Sequence, residues 1–271
     1  MKVTRVLVVA QEIYPYLPSS EISDKCRDLL LGLQEKGREI RTFMPRYGVV
    51  NERRNQLHEV IRLSGMNLII DDTDHPLIIK VASIPSTRIQ VYFIDNEDYF
   101  QHRDVLSDQS GNEYPDNDER AIFFARGVIE TVKKLRWTPD IVHCHGWITS
   151  LVPLYIKKCY SDDPSFRDAR IVYSAYDSCF TRPLDARFPE KLSMDGISPE
   201  EAGVTDKSPV TCSDMVKLAV RYSDGVIAAS EAQAASIEEY ARANGKKYML
   251  LKDSDANRME EYNNFYDDIC G

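Results

Sequence analysis

The amino-acid sequence predicts an α/β fold, a single doubly wound, mainly parallel Rossmann-like domain with one antiparallel β-hairpin insertion. Residues 3–10 form a β-branched apolar run, which is typical of a strand buried on both faces of a sheet. A segment of helical period and a second strand-like run at Glu39–Met44 follow directly. Because this strand–helix–strand order recurs as far as residue 243, we expect a parallel sheet with helices on both faces.

The first helix is predicted from apolar residues at helical spacing, and Gly37 is placed to end it. These residues are Ile22, Cys26, Leu29, Leu30 and Leu33. In residues 57–95 the helical period is absent, and the pattern predicts short strands separated by turns. We expect an inserted antiparallel hairpin region with strands at Glu59–Leu63, Met66–Asp71, Leu77–Ser83 and Ile89–Ile94.

The helical period returns between Ala121 and Leu135, with Asp116 as the expected N-cap and Glu119 completing a capping box. Strands and helices then alternate over Asp140–Cys144, Thr149–Lys158, Arg170–Ser174, Met215–Tyr222, Gly225–Ala228 and Glu231–Ala243. Residues 178–212 carry four prolines and no clean period, which predicts a long excursion with short helices. We therefore expect one domain over residues 1–243 and a tail over 244–271.

Charge and cysteine usage narrow the function classes. The net charge of −9 opposes binding to phosphate backbones and to anionic lipid, so we expect neither a nucleic-acid nor a membrane partner. The apolar run Val6–Ala10 is too short to span a bilayer, and no signal-peptide cleavage site follows it. The six cysteines are scattered, which favours free thiols in a cytoplasmic protein over a disulfide framework or a zinc site.

A set of motifs carries a family resemblance. Residues 139–153 read P-D-I-V-H-C-H-G-W-I-T-S-L-V-P. This resembles the segment P-D-x-V-H-x-H-D-W-H-T-x-L-x-P of the glycogen and starch synthases of glycosyltransferase family 5. Further matches stand in the family's order at Glu12–Tyr16, Pro45–Gly48, Tyr92–Asn96, Tyr114–Phe124 and Tyr222–Glu231.

The resemblance implies half of a GT-B fold, in which two Rossmann-like domains flank the active site. The first domain binds acceptor glucan, and the second carries most of the nucleotide-sugar site. The implied reaction moves glucose from ADP-glucose to the non-reducing end of an α-1,4-glucan. Only about 28 residues follow residue 243, too few for a second such domain. The family's last helix crosses back onto the first domain, so the apolar stripe of residues 255–269 is expected to pack there.

Several polar groups of the family are replaced in this sequence. Gly146 and Ile148 stand where the family has Asp and its second His, and Pro18–Glu21 stands where it has Lys-Thr-Gly-Gly. Tyr176 replaces the His of the family's T-V-H-N segment. Losing one charge-assisted hydrogen bond to phosphate costs roughly 1.5–3 kcal/mol, and Glu21 adds repulsion. The departures therefore indicate weak ADP-glucose binding.

The ligand-binding candidates are Glu12, Asp24, His145, Trp147, Tyr176 and Asp177. No residue is assigned a catalytic role. Each candidate also has a structural interpretation, since Glu12 could stabilise a loop, Asp24 could favour the helix dipole and Trp147 could simply pack. His143 and His145 are expected on opposite faces of their strand, which argues against a shared metal. We predict neither a metal nor a cofactor.

Two hypotheses for function follow. The first is a degenerate module that is non-catalytic alone and binds glucan or a protein partner. The second is an active glucosyltransferase whose nucleotide-sugar domain is supplied by another chain. The segment Pro18–Glu21 favours the first hypothesis, with ADP-glucose as a weak ligand at most and a homodimer as one possible partner arrangement.

Overall fold

The computed structural model describes residues 3–204, 209–232, 234–251 and 258–271. The strands are β1 (Arg5–Ala10), β2 (Glu39–Pro45), β3 (His58–Glu59), β4 (Met66–Ile70), β5 (Thr73–Ser83), β6 (Gln90–Asp95), β7 (Ile141–His145), β8 (Arg170–Ala175), β9 (Gly225–Ala228) and β10 (Lys247–Leu250). The α-helices are α1 (Glu21–Glu35), α2 (Asn117–Leu135), α3 (Leu151–Cys159), α4 (Phe188–Ser193), α5 (Pro199–Ala202), α6 (Cys212–Tyr222), α7 (Ala234–Ala243) and α8 (Arg258–Cys270). A π-helical turn spans Glu97–Gln101 and a 3₁₀ turn spans Trp147–Thr149.

One sheet organises the chain in the order β10-β9-β8-β7-β1-β2-β6-β5-β3, with β4 paired to β5. Neighbouring strands from β10 to β6 run parallel, and β5 runs antiparallel to β6. The strand order reverses at β1, which is the point where doubly wound folds place their ligands. The predicted fold class is confirmed.

The insertion differs from its prediction in detail. The strand expected at Ile89–Ile94 is β6, which pairs in parallel with β2 and therefore belongs to the main sheet. The strand expected at Glu59–Leu63 is reduced to the two residues of β3. At the other end of the sheet, β10 pairs with β9 beyond residue 243, although no strand was predicted there. Strand pairing depends on distant partners, so the local pattern alone missed it.

The expected capping box of α2 is wrong. Asp116 is the N-cap residue, but its side chain makes no capping hydrogen bond and pairs with Arg103 instead, at 2.5 Å. Glu119 turns away from the cap and accepts hydrogen bonds from Lys191 at 2.7 Å and from the Tyr99 hydroxyl at 2.9 Å. Tertiary partners outside the helix therefore compete successfully with the local capping geometry.

The excursion over residues 178–212 contains α4 and α5 and is tied to the domain by several contacts, among them the ion pair of Arg187 with Asp71. Lys191 of α4 is buried, and its ammonium donates to Asp118 and to Glu119 at 2.7 Å each. The sulfurs of Cys179 and Cys212 are bonded, with their Cα atoms 6.2 Å apart. The expectation that all six cysteines are free thiols is therefore wrong, because the excursion folds back and brings together two residues 33 positions apart.

The helix α8 lies against α1 and the sheet. Tyr262, Phe265, Tyr266 and Ile269 are buried, and the Tyr266 hydroxyl lies 2.6 Å from His143 Nδ1 on β7. Gly225 on β9 leaves room for the helix, because a Cβ there would come within 2.2 Å of Ile269. Within the described ranges, no helix is long and apolar enough to cross a membrane.

Candidate functional site

The carboxyl edge of the sheet is the region where β1, β7, β8 and β9 end beside the first turn of α1. We define it by residues 11–25, 143–148, 176–177 and 229–230. Glu12 follows β1 and is half-buried, and its carboxylate accepts hydrogen bonds from the Ser20 hydroxyl at 2.7 Å and the Gln11 amide at 2.8 Å. Glu12 thus holds the loop to the start of α1, which is its structural interpretation.

The N-terminus of α1 is closed by its own side chains. The Ser20 hydroxyl accepts from the backbone N–H of Ser23 at 3.1 Å, and the Ser23 hydroxyl accepts from the backbone N–H of Ser20 at 2.8 Å. Asp24 is half-buried and accepts from the Ser19 hydroxyl. Free N–H groups at a helix start are what a phosphate binds, and this capping box occupies two of them.

A lysine that the sequence patterns did not single out lies at the same edge. Lys25 is buried, and its ammonium donates to the Glu21 carboxylate at 2.8 Å and to the backbone carbonyl of Ala229. The ammonium of Lys25 therefore links α1 to the loop after β9 through these hydrogen bonds. A lysine on an amphipathic helix looks like an ordinary surface residue, so only the tertiary contact reveals this role.

His145 and Tyr176 form a buried pair. His145 Nδ1 lies 3.0 Å from the Tyr176 hydroxyl, and Tyr176 also hydrogen-bonds Cys26 on α1. Burial lowers the pKa of His145 to about 3, so the imidazole is neutral at pH 7. Its Nε2 is buried and has no hydrogen-bond partner in the described part of the chain.

The expectation that His143 and His145 point to opposite faces is wrong. Residues two apart on a strand share a face, and the two rings lie 3.9 Å apart. His143 is bonded by both nitrogens, with Nε2 2.7 Å from the Ser174 hydroxyl and Nδ1 next to Tyr266. Across the described ranges, no group of three or more His, Cys, Asp or Glu side chains could hold a metal ion.

Gly146 and Gln11 fit one another. Gly146 has φ +86°, and a Cβ at this position would lie 2.6 Å from the Gln11 side-chain oxygen. The amide of Gln11 therefore occupies space that the family's Asp side chain would need. Gln11 is fully buried yet was not a candidate, because nothing in its sequence context distinguishes it from a surface glutamine.

The remaining candidates do not share one surface. Trp147 is 2% exposed and packs edge-on against Phe180, with ring centroids 5.2 Å apart. It is a core residue rather than a platform for a ligand. Asp177 is exposed and accepts a hydrogen bond from Ser230. The carboxyl edge thus presents Glu12, Asp24 and Asp177 to solvent while His145, Trp147 and Tyr176 lie beneath them.

Comparison with known proteins identifies the family. Residues 5–252 match the family described as the starch synthase catalytic domain. The chain belongs to this family. The glycogen synthases of Chlorobium luteolum and Chlorobaculum tepidum are each 37% identical to it, over 195 and 202 residues that cover 72% and 71% of this chain. These alignments span only 40% and 41% of the two relatives.

A solved structure agrees with the family at the level of the fold. The catalytic domain of starch synthase IV from Arabidopsis thaliana, bound to ADP and acarbose, superposes with a TM-score of 0.73 at 19% identity. The match covers 92% of this chain and 51% of that chain. The predicted membership of the glycogen and starch synthase family is confirmed.

Proposed function

We propose that this glycogen/starch synthase-like domain binds an α-1,4-glucan at its carboxyl edge and does not by itself transfer glucose from ADP-glucose. The observation that carries the proposal is the closed start of α1. A capping box takes up backbone N–H groups there, and Lys25 is bonded to Glu21 and to the Ala229 carbonyl. Two backbone N–H groups and one ammonium at this position are therefore already hydrogen-bonded within the chain.

Charge at the edge supports the same conclusion. Glu12, Glu21, Asp24 and Asp177 are all exposed or half-buried around the start of α1 and the ends of β1 and β8. Carboxylates repel a nucleotide diphosphate, since like charges close together are unfavourable even near the surface. The same oxygens accept hydrogen bonds from neutral hydroxyl groups, which a glucan carries on every sugar. The edge therefore favours a neutral sugar over an anionic donor.

The histidine at this edge is unsuited to proton transfer. A general acid or base works best with a pKa near the operating pH and with reach to the substrate. Burial lowers the pKa of His145 to about 3, and its side chain has no exposed surface. Tyr176 covers it from the side of β8. Transfer chemistry at His145 would require this pair to open.

Titration calorimetry with ADP-glucose and with a maltooligosaccharide tests the proposal. We expect heat from the maltooligosaccharide and at least tenfold weaker binding of ADP-glucose, since one lost phosphate contact is worth roughly 1.5–3 kcal/mol. Incorporation of radiolabelled glucose into glycogen by this domain alone would refute the non-catalytic part. Incorporation only after a second domain is added would favour an enzyme completed by another chain.

A restoration variant sharpens the test. Replacing Pro18→Lys, Ser20→Gly and Glu21→Gly rebuilds the family's segment and adds two positive charges in net terms. We expect this triple variant to bind ADP-glucose at least tenfold more tightly than the unmodified chain. Glu35→Lys makes the same change in net charge at the exposed far end of α1 and should leave binding unchanged. Equal gains in both variants would show that overall charge, and not the edge, limits binding.

A further inference from the structure

One cavity lies at the opposite end of the sheet from the carboxyl edge. We call it the amino-edge cavity. It has a volume of about 580 Å³ and is bounded by the starts of β1, β7 and β8, by the loop before β8 and by the end of α8. Its polar lining consists of Arg5, Thr138, Asp140, Ser165, Arg167, Asp168 and Arg170, and Cys270 lies at its wall. This volume falls in the range of about 300–1,000 Å³ that small-molecule sites occupy.

Backbone pairing holds two of the arginines on either side of Asp140. Asp140 donates its N–H to the Arg5 carbonyl, and Arg170 donates its N–H to the Asp140 carbonyl, each at 2.9 Å. The starts of three adjacent strands therefore place Arg5 and Arg170 two strand spacings apart, or about 10 Å between backbones. Side chains that start from backbones this far apart can approach one small ligand from two sides.

The guanidinium charges in this cavity are incompletely neutralised. Arg5 donates to the Thr138 hydroxyl at 2.5 Å, and the nearby Asp140 carboxylate attracts its charge without forming a direct ion pair among the described residues. The carboxylate nearest to Arg170 is Asp224 at 3.9 Å, and Asp224 already accepts from Lys157 at 3.1 Å. Arg167 forms a shorter ion pair, with Asp168 at 3.3 Å.

The carboxylate of Asp140, which lies between the two arginines, is hydrogen-bonded to backbone N–H groups. One oxygen of Asp140 accepts from the N–H groups of Thr4 and Arg5 at 2.8 and 2.9 Å and from the Thr4 hydroxyl at 2.9 Å. This carboxylate therefore anchors the strand before β1 and leaves Arg5 and Arg170 to face the cavity. Three arginines and two aspartates line the cavity, so its lining carries a formal charge of +1 in a chain of net charge −9.

We propose that the amino-edge cavity binds a phosphate monoester of a small polyhydroxyl molecule. Planar guanidinium groups bind phosphate oxygens through paired hydrogen bonds, and this chemistry favours Arg5 and Arg170 as the anion ligands. The hydroxyls of Thr138 and Ser165 are suited to the polar remainder of such a molecule. The site is separate from the carboxyl edge and does not depend on the function proposed above.

Titration calorimetry at low ionic strength tests this site with glucose 1-phosphate, inorganic phosphate and glucose as probes. We expect both phosphates to bind and glucose not to bind. Arg5→Gln and Arg170→Gln should each weaken phosphate binding roughly tenfold or more. The matched control is Arg62→Gln, which removes the same charge from an exposed position outside the cavity and should change nothing. Each variant tests the site by itself, so either one suffices if the other fails to fold.

Alkylation of Cys270 reports on the same cavity independently. In a Cys159→Ser background, Cys270 is the thiol that remains at least partly accessible, since Cys26 and Cys144 are buried and Cys179 is bonded to Cys212. Glucose 1-phosphate should slow iodoacetamide modification of Cys270 severalfold, and Arg170→Gln should abolish that protection. The proposal is overturned if neither phosphate binds, if Arg62→Gln weakens binding as much as the cavity variants, or if glucose protects Cys270 equally.

Discussion

At the carboxyl edge of the sheet the polar side chains bond one another, whereas at the amino edge Arg5 and Arg170 form no ion pair shorter than 3.9 Å with any described residue. Glu12 is held by Ser20 and Gln11, and Lys25 by Glu21 and a carbonyl. Arg5 and Arg170 instead border an open cavity. The same strands form both edges, so the fold determines where each edge lies. The individual side chains determine whether the polar groups of an edge can bind a ligand. We expect substitutions at the carboxyl edge to cost stability and those at the amino edge to cost little.

The largest expected loss comes from removing α8, which seals the carboxyl-edge histidines from one side. Deleting residues 255–271 should lower the unfolding free energy by about 5 kcal/mol or more, since burying each of Tyr262, Phe265 and Tyr266 is worth about 1.5–3 kcal/mol. Thermal melting should then fall by several degrees at least. An unchanged melting temperature, with fast amide exchange throughout α8 in the intact chain, would show that the helix does not dock.

The next effect concerns the fit between Gly146 and Gln11. Gly146→Asp should lower the unfolding free energy by about 4 kcal/mol, because it combines backbone strain at φ +86° with a contact at 2.6 Å. Gly37→Asp is the control, since Gly37 has φ +70° but no atom near its Cβ position, and it should cost about 1 kcal/mol. Chemical denaturation measures both. Partial rescue of Gly146→Asp by Gln11→Ala is expected, and its absence would count against the steric explanation.

Breaking the buried ion pair between Lys191 and Asp118 should lower the unfolding free energy somewhat less than Gly146→Asp does. Lys191→Met leaves Asp118 and Glu119 side by side without their cation, and we expect a loss of about 3 kcal/mol in denaturant titration. Lys158→Met breaks an ion pair of similar length with Glu201 on the surface and should cost much less, because solvent screens exposed charges. If the two variants were equally stable, the excursion would not be anchored by Lys191.

Acid should destabilise the protein through its buried histidine. The folded pKa of His145, about 3, lies below the unfolded value of about 6.5, so the unfolded chain binds a proton that the folded chain excludes. Stability from this group is complete above pH 7 and falls by about 2 kcal/mol by pH 5. The unfolding free energies measured at pH 8 and at pH 5 should therefore differ less in His145→Gln than in the unmodified chain. Burial raises the pKa of Asp118 to about 6, which acts in the opposite sense but is common to both proteins.

The smallest expected effects come from single substitutions that compare the stability of the two edges directly. Ser20→Ala removes the cap of α1 and should cost about 1 kcal/mol, whereas Ser20→Gly should cost only a few tenths. At the amino edge, Arg170→Gln should change stability by less than about 0.5 kcal/mol, because its ion pair is long and exposed. A larger loss from Arg170→Gln than from Ser20→Ala would reverse the proposed contrast between the edges.

Much of the fold could be predicted because its signals are local. Buried parallel strands are apolar along their whole length, and amphipathic helices repeat every 3.6 residues, so β1, α1, β7 and β9 lie close to their predicted positions. The elements that were missed or misplaced depend on distant partners. The strand β10 exists because β9 is its neighbour, and β6 joins the main sheet because β2 is adjacent.

The sequence by itself determined the family, the doubly wound sheet and the replacement of the family's polar groups at Pro18–Glu21, Gly146 and Tyr176. Only the tertiary structure decided what the replacing residues do. It gave His145 a hydroxyl partner 31 residues away, filled the space beside Gly146 with Gln11, and bonded Cys179 to Cys212. The reason is physical: periodicity is encoded in neighbouring residues, whereas burial, hydrogen-bond partners and charge neutralisation arise only when remote segments meet.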